Sequence, residues 1–478
     1  MRRKFAGNLL ILILANVLIK PLWIFGIDRV VQNRLGAEVY GTYFALFNYS
    51  FLFSVFLDFG INNFNNRAIA RHHNRLPTYF SNLLGLKFVL GVIYFLITAI
   101  SAWLTGFSWM QLEMLAALGL NQFLLTYILY IRSNLTAIHR FKADAALSVS
   151  DRLLSILFCG WLLLFGARPF SIHYFIFAQT AALTLTLVLG LLLLQRGVRF
   201  EWHIWRYRYF KAILQKSFPF ALVGLLMTIY YRIDGVMLER LYNARETGIY
   251  AQSYRLLDAI NQFGYLAAVP LLPLFAGMIK RRDNLRPLLG LSASGMFVFS
   301  FGSALLCWLF SDDILHLLYK EQSPNSEAIF RWLMLSFIPI SSVYVFGTLL
   351  TANGSLGLLN GIAALGILIN VSLNFVLIPG YGALGATMAT LFTQMVVAGL
   401  HIYVCVKVFK LFPERAALMR VGWFTIISVG LALVARLAVN NWLMALPLAG
   451  LGIVAAVFIS RMVTITAVKS YFQNRREA

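Results

Sequence analysis

FPFALVGLLMTIYYRIDGVMLERLYNARETGIYAQSYRLLDAINQF, residues 218–263, is the stretch whose reading decides the fold. A long apolar run ends with Arg232 and Asp234, a short polar link follows, and a second apolar run carries Arg255 and Asp258. Charge inside lipid is costly, so ionisable groups in such runs are candidates for function. The pattern also occurs near the N-terminus. Asp28, Arg34-Leu35, Gly41 and Tyr43 are echoed by Asp234, Arg240-Leu241, Gly248 and Tyr250, at an offset of 206 positions through the Arg-Leu pair and 207 after it. One inserted residue therefore separates two copies of a membrane unit, the organisation of a transporter built from repeats.

The composition agrees. The 478 residues are 60% hydrophobic with only 12% charged, and mean hydropathy is +0.77. A soluble domain carries about a quarter charged residues, so this chain is not one. The net charge of +22 sits in short links between apolar runs. There Lys and Arg orient the protein and meet anionic lipid headgroups, which argues against nucleic acid as a partner. Cys159, Cys307 and Cys405 fall singly inside apolar runs and imply neither a disulfide framework nor a metal site. The start, MRRKFAGNLLILILANVLIK, imitates a signal peptide but lacks a small-x-small cleavage site, and reads as a retained first span.

A span needs roughly 20 mainly apolar residues. That criterion yields about fourteen, near 5–27, 40–60, 80–105, 111–131, 144–166, 171–194, 217–238, 249–278, 287–310, 327–351, 358–379, 383–406, 418–439 and 444–464. The eighth is broken by Pro270 and Pro273. Barrel strands would alternate over about ten residues and are excluded. With the N-terminus inside, links on that side hold 25 of the 40 Lys and Arg, against 6 on the other. Both termini are therefore expected in the cytoplasm. Spans one and seven then run in the same direction, giving two parallel six-helix lobes. The expected divisions are an N-terminal lobe at 1–194, a basic amphipathic cytoplasmic linker at 195–216, a C-terminal lobe at 217–406, and two appended helices with a tail at 407–478. The links hold no P-loop, nucleophile elbow or metal-spaced cluster, and His72-His73 reads as a solvated pair, so no enzymatic activity and no cofactor is expected.

The charges inside spans are the candidate machinery. Lys20 lies deep in span one immediately before Pro21, whose missing N–H kinks a helix. Lys87, near the cytoplasmic edge of span three, reads as a snorkelling residue, as do Arg331 and Arg436 near outer ends. Arg255, Asp258 and Gln262 share one helical face, which suits either a pair that locks the bundle or a cationic site with an acidic partner. Arginine's planar fork favours phosphate in the second case. Arg232 and Asp234 are two apart and do not face each other, while Asp151 and Arg152 are adjacent, are expected to point apart, and would mark a cytoplasmic mouth. Asp28 sits where the repeat places Asp234, and both read as structural signatures of the outer turn.

Three stretches carry a resemblance: LGAEVYGTYFALFNYSFLFSVFLDFGINNFNNRAIAR at 35–71, YYRIDGVMLERLYNARETGIYAQSYRLLDAI at 230–260, and INVSLNFVLIPGYGALGATMATLFTQ at 369–394. They resemble the polysaccharide-transporter family of bacterial flippases, in the multidrug/oligosaccharidyl-lipid/polysaccharide exporter superfamily. Pro379 and Gly380 are expected to end span eleven, with Gly382 and Gly385 permitting a tight turn and close packing. The resemblance implies a V-shaped pair of lobes that alternates access, in a bacterial inner membrane. The cargo it implies is an undecaprenyl-diphosphate-linked oligosaccharide for O-antigen, capsule or exopolysaccharide. It also implies a lipid-diphosphate site that would draw on Lys20, Arg232, Arg255 and Arg152, with Asp258, Asp234 and Asp151 as charge partners or coupling groups for H+ or Na+. Anionic membrane lipids, a polysaccharide polymerase and chain-length proteins are the implied partners. A lipid II flippase, a multidrug exporter of the same superfamily and a membrane glycosyltransferase or polymerase remain as alternatives.

Overall fold

The computed structural model describes residue 19, residues 21–62, residue 65, and residues 76–166, 170–195, 207–412 and 414–462. Among them there is no strand. The helices are α1 (Arg29–Leu52), α2 (Val55–Asp58), α3 (Leu76–Leu104), α4 (Trp109–Ala137), α5 (Phe141–Phe165), α6 (Ile172–Gln195), α7 (Tyr207–Leu241), α8 (Ala244–Ala268), α9 (Leu271–Arg281), α10 (Arg286–Leu309), α11 (Ser311–Leu318), α12 (Ser326–Leu335), α13 (Phe337–Ala352), α14 (Leu356–Phe409), α15 (Arg415–Ala438) and α16 (Trp442–Ile459). A π-helical turn, Leu22–Asp28, precedes α1.

Eleven helical stretches among the described residues are long and apolar enough to cross a membrane. Two of them hold a backbone break that divides each into two spans. The 54 residues of α14 would reach about 80 Å if straight, more than twice the ~30 Å hydrocarbon core. Backbone breaks resolve this: Gly36 (φ 81°, ψ 166°) interrupts α1 and Gly382 (φ 55°, ψ −132°) interrupts α14. Taking each as two spans and adding α7 gives fourteen. The protein is an all-α polytopic membrane protein. Most of the expected first span, residues 5–18, lies outside the described residues.

The breaks differ in place from the sequence reading. Gly382 is the turn, and helix continues through Pro379 and Gly380. A Cβ on Gly385 would lie 2.4 Å from the Leu377 carbonyl oxygen, so the close approach across the turn requires glycine there. The first outer link, expected to span a dozen residues, is the single residue Gly36 between helical turns. Pro270 separates α8 from α9, and Pro273 sits in the first turn of α9, where its missing N–H costs no helical bond.

The chain divides into two compact units, residues 1–248 and 249–478. In the first, α4 packs on α6 and α1, α5 packs on α6, and α7 lies along α1. Fully buried Tyr40, Tyr43, Phe44, Tyr94, Tyr130 and Phe175 fill this unit. A capping box starts α4: Ser108 accepts from the Gln111 N–H, and Gln111 accepts from the Ser108 N–H. In the second unit, α13 packs against α14, α10 and α9, and the α15–α16 pair joins α10. Small residues permit that pairing, with Ala432, Ala435, Ala445 and Ala449 buried around Phe310.

Candidate functional site

The first unit holds several charged groups within its apolar helices. Asp28, at the end of the π-helical turn, is 1% exposed. It accepts from the Tyr40 hydroxyl at 2.8 and 2.9 Å and from Gln32 Nε2 at 3.2 Å. Asp28 lies eight residues before the turn at Gly36, and its bond to Tyr40 reaches across that turn. Asp234, its repeat partner, is 6% exposed. Arg232 donates to Asn48 Oδ1 at 3.3 Å and lies over the rings of Phe51 (5.0 Å) and Phe47 (5.9 Å), so aromatic faces take up part of its charge. Arg152 stands 3.8 Å from Asp151 and 5.4 Å over the Trp23 ring, which stacks on Phe175. The two neighbours were expected to point apart, but the long arginine stem bends back to its carboxylate. Lys20 and most of the basic linker, residues 196–206, lie outside the described residues. Pro21 directly precedes the π-helical turn.

The same unit contains a pair that sequence reasoning missed. Lys87 does not snorkel. Its side chain is fully buried, with Nζ 2.7 Å from Asp58 Oδ1, 3.4 Å from the Leu57 carbonyl and 5.5 Å over Tyr130. A buried ammonium is tolerated when paired and hydrogen-bonded in this way. Asp58 precedes it by 29 residues, a separation that carries no local signal. Asp28–Gln32, by contrast, is an i,i+4 pair visible in the sequence.

In the second unit the stripe on α8 is present. Arg255 Nη1 lies 3.9 Å from Asp258 Oδ2, with side chains 13% and 32% exposed. That separation exceeds the ~2.7–2.9 Å of a charge-assisted hydrogen bond, so this is a loose ion pair between half-buried groups. Arg331 and Arg436 do not snorkel. Arg331 pairs with Glu327 and donates to Ser311, and Arg436 reaches Asp313 at 2.8 Å. These contacts tie α12 to α11 and α15 to α11. No group of three or more His, Cys, Asp or Glu side chains suited to a metal ion occurs among the described residues.

Fourteen spans with ionisable side chains held inside them define a class, the polytopic membrane proteins. The family described as "Polysaccharide biosynthesis protein" matches residues 5–279, more than half of the chain, and the protein belongs to that family. A lipid III flippase of Escherichia coli (strain K12) is 28% identical over 204 residues, covering 41% of this chain and 47% of the flippase. An uncharacterized membrane protein of Methanocaldococcus jannaschii is 25% identical over 201 residues, 41% of this chain and 46% of that protein. The chain thus spans about half the length of the curated relatives it matches. Among solved structures, the lipid II flippase MurJ in an inward closed conformation aligns with a TM-score of 0.72 at 13% identity, over 96% of this chain and 98% of its own. An inward-facing multidrug resistance MATE family transporter of the MOP superfamily aligns at 0.62, again at 13% identity, over 83% and 98%. At these identities the likeness is one of fold.

Proposed function

We propose that this chain is a flippase that moves an undecaprenyl-diphosphate-linked oligosaccharide from the cytoplasmic to the outer leaflet of a bacterial inner membrane. The repeat unit would feed O-antigen, capsule or exopolysaccharide assembly, alongside a polymerase and chain-length proteins. The observation that carries this reading is the half-buried Arg255–Asp258 pair on an apolar helix, in a chain of the polysaccharide biosynthesis family. Support also comes from relatives named as flippases of lipid III and, by fold, lipid II. Both names describe lipid-linked cargo, so a lipid II-type cargo is the second reading. The work is transport rather than covalent chemistry, coupled to H+ or Na+, with both termini cytoplasmic.

In this proposal Arg255 grips the diphosphate, and Asp258 competes for the guanidinium and so eases release. Arg232 and Arg152 supply further positive potential in the first unit. The experiment is complementation in strains lacking a repeat-unit flippase or a lipid II flippase, with protein abundance measured in parallel. Arg255→Ala is expected to abolish surface polysaccharide at normal abundance, and Arg255→Lys to restore it only in part, because a point charge loses the fork. Removing one member of a buried pair costs roughly 3–5 kcal/mol, whereas removing both can be near neutral. A pair that serves folding alone would therefore regain transport in the Arg255→Ala, Asp258→Ala double variant. Full transport by that variant ends the proposal for Arg255.

A further inference from the structure

Five residues other than glycine have positive φ among the described residues: Phe59, His139, Arg282, Lys410 and Arg461. All five follow the C-termini of helices whose ends face the basic-link side of the membrane in the orientation proposed above, on which this inference rests. They close α2, α4, α9, α14 and α16. Glycines with positive φ occur on both sides, Gly60 and Gly354 on the basic-link side and Gly36, Gly106 and Gly382 on the other. A left-handed residue just past a helix is ordinarily glycine, because a side chain there strains the backbone. At α9, α14 and α16 the strained position instead holds Arg282, Lys410 and Arg461. At α9 and α16 the hydrogen bonding is that of an ordinary helix stop. The Asp283 N–H reaches the Met278 carbonyl at 2.9 Å and the Met462 N–H reaches that of Val457 at 3.1 Å, so glycine would serve equally well.

Two of these cations share one rim. Met278, Ile279 and Leu285, which flank Arg282, pack in the same apolar cluster as Phe409 and Leu411, which flank Lys410. Lys280, Arg286 and Lys407 are exposed beside them. Arg281 is taken by Asp283 at 2.9 Å. Neither Arg282 nor Lys410 makes an ion pair among the described residues, and both are exposed. Exposed cations without an ion partner among the described residues, standing over an apolar rim, point to an external anion as the ligand for that charge.

We propose that Arg282 and Lys410 bind the phosphates of anionic phospholipids in the leaflet at the basic side of the second unit. Both side chains are exposed at helix C-termini, and the apolar rim that flanks them would meet the acyl chains. Phosphate is the recognised group: exposed cations over an apolar rim complement an anionic headgroup over its hydrocarbon. The alternative return is the helix dipole, since a cation near a helix C-terminus is favourable by itself.

Glycine substitution separates these two causes, because it relaxes the backbone while removing the charge. Full-length protein in neutral phosphatidylcholine nanodiscs would be titrated with phosphatidylglycerol or cardiolipin, reading lipid retention by native mass spectrometry and thermal stability in the same samples. Each of Arg282→Gly and Lys410→Gly is expected to weaken retention about fivefold, and the pair about 25-fold. Without anionic lipid their melting temperatures should hold or rise. Arg282→Asn, uncharged and tolerant of αL, should follow the glycine variant, and Arg34→Gln should match the parent. Unchanged retention in the double variant overturns the proposal. So does lowered stability of the glycine variants without anionic lipid, which would assign the cations to the helix dipole. The nanodisc is symmetric, so the outcome does not depend on orientation, and cysteine labelling tests orientation separately.

Discussion

Residues 28–43 and 234–250 began as one pattern and have kept different parts of it. In the first copy Asp28 ends a π-helical turn and is held by Gln32 and Tyr40. In the second, Asp234 is buried within the regular helix α7, and the positions of Gln32 and Tyr40 are taken by Leu238 and Thr247. The arginines have also parted. Arg34 is exposed, whereas Arg240 pairs with Glu239, approaches Gln111 at 3.4 Å and covers Phe107 at 4.0 Å. The glycines have not moved. A Cβ on Gly41 would stand 1.8 Å from the Ala244 carbonyl oxygen, and one on Gly248 would stand 1.9 Å from that of Ala37. Each copy's glycine thus receives the backbone of the other copy's helix start. The repeat keeps the crossing of backbones and lets the polar contacts diverge, because a backbone approach tolerates no side chain while a buried carboxylate accepts several kinds of donor.

The largest effect tests that crossing. Gly41→Ala and Gly248→Ala each drive a methyl into a main-chain carbonyl that cannot step aside. Each is expected to cost about 3 kcal/mol or more and to deplete folded protein in detergent, judged by thermal unfolding on a size-exclusion column. Gly277→Ala in α9, where a Cβ meets nothing within 4 Å, is the matched control and should be neutral or slightly stabilising. Equal stability of Gly41→Ala and Gly277→Ala would break the symmetric crossing.

Next in size is the break in α1. Gly36 adopts φ 81° and ψ 166°, a region open essentially to glycine alone, and Gly36→Ala should cost up to about 3 kcal/mol. The second copy turns through Tyr242 and Asn243 without such a residue, so Tyr242→Ala should fall well below that figure by the same melting assay. A smaller loss is expected from Tyr40→Phe, which removes the hydroxyl serving both oxygens of Asp28, about 2 kcal/mol. Thr247→Val, at the aligned position, should cost less, since no carboxylate depends on it in the described contacts. A Tyr40→Phe variant as stable as the parent would show that Asp28 is held by its other contacts.

Much of this was legible in the chain. Apolar runs of about twenty residues gave the span count, since the bilayer fixes the length of a crossing helix. The offset step from 206 to 207 marked an insertion between Leu35 and Gly41, and the structure places it in the turn itself, Gly36 against Tyr242-Asn243. The Arg255–Asp258 pair followed from helical spacing. What the sequence did not show was set by distance along the chain. Lys87 with Asp58, Arg436 with Asp313 and Gln111 with Glu239 join residues far apart in sequence, and only packing brings them together. Reading such cations as snorkelling follows from treating each helix alone against lipid.

The smallest predicted effect falls on the inserted residue. Asn243 Oδ1 accepts from the Glu246 N–H at 2.8 Å, so its side chain satisfies one of the donors left unpaired at the start of α8. In the first copy the chain re-enters helix within α1 directly after Gly36. Asn243→Ala should cost about 1 kcal/mol, Asn243→Asp little or nothing, and Asn243→Gly only a few tenths. The aspartate should also gain slightly from the positive end of the helix at low salt. Its benefit should fade as salt screens the charge, whereas the loss in Asn243→Ala should be indifferent to salt. Thermal unfolding of the three variants at two ionic strengths separates the terms. A salt-independent gain in Asn243→Asp, or no loss in Asn243→Ala, would mean that the inserted residue serves only as a spacer, and that the two turns differ in length but not in chemistry.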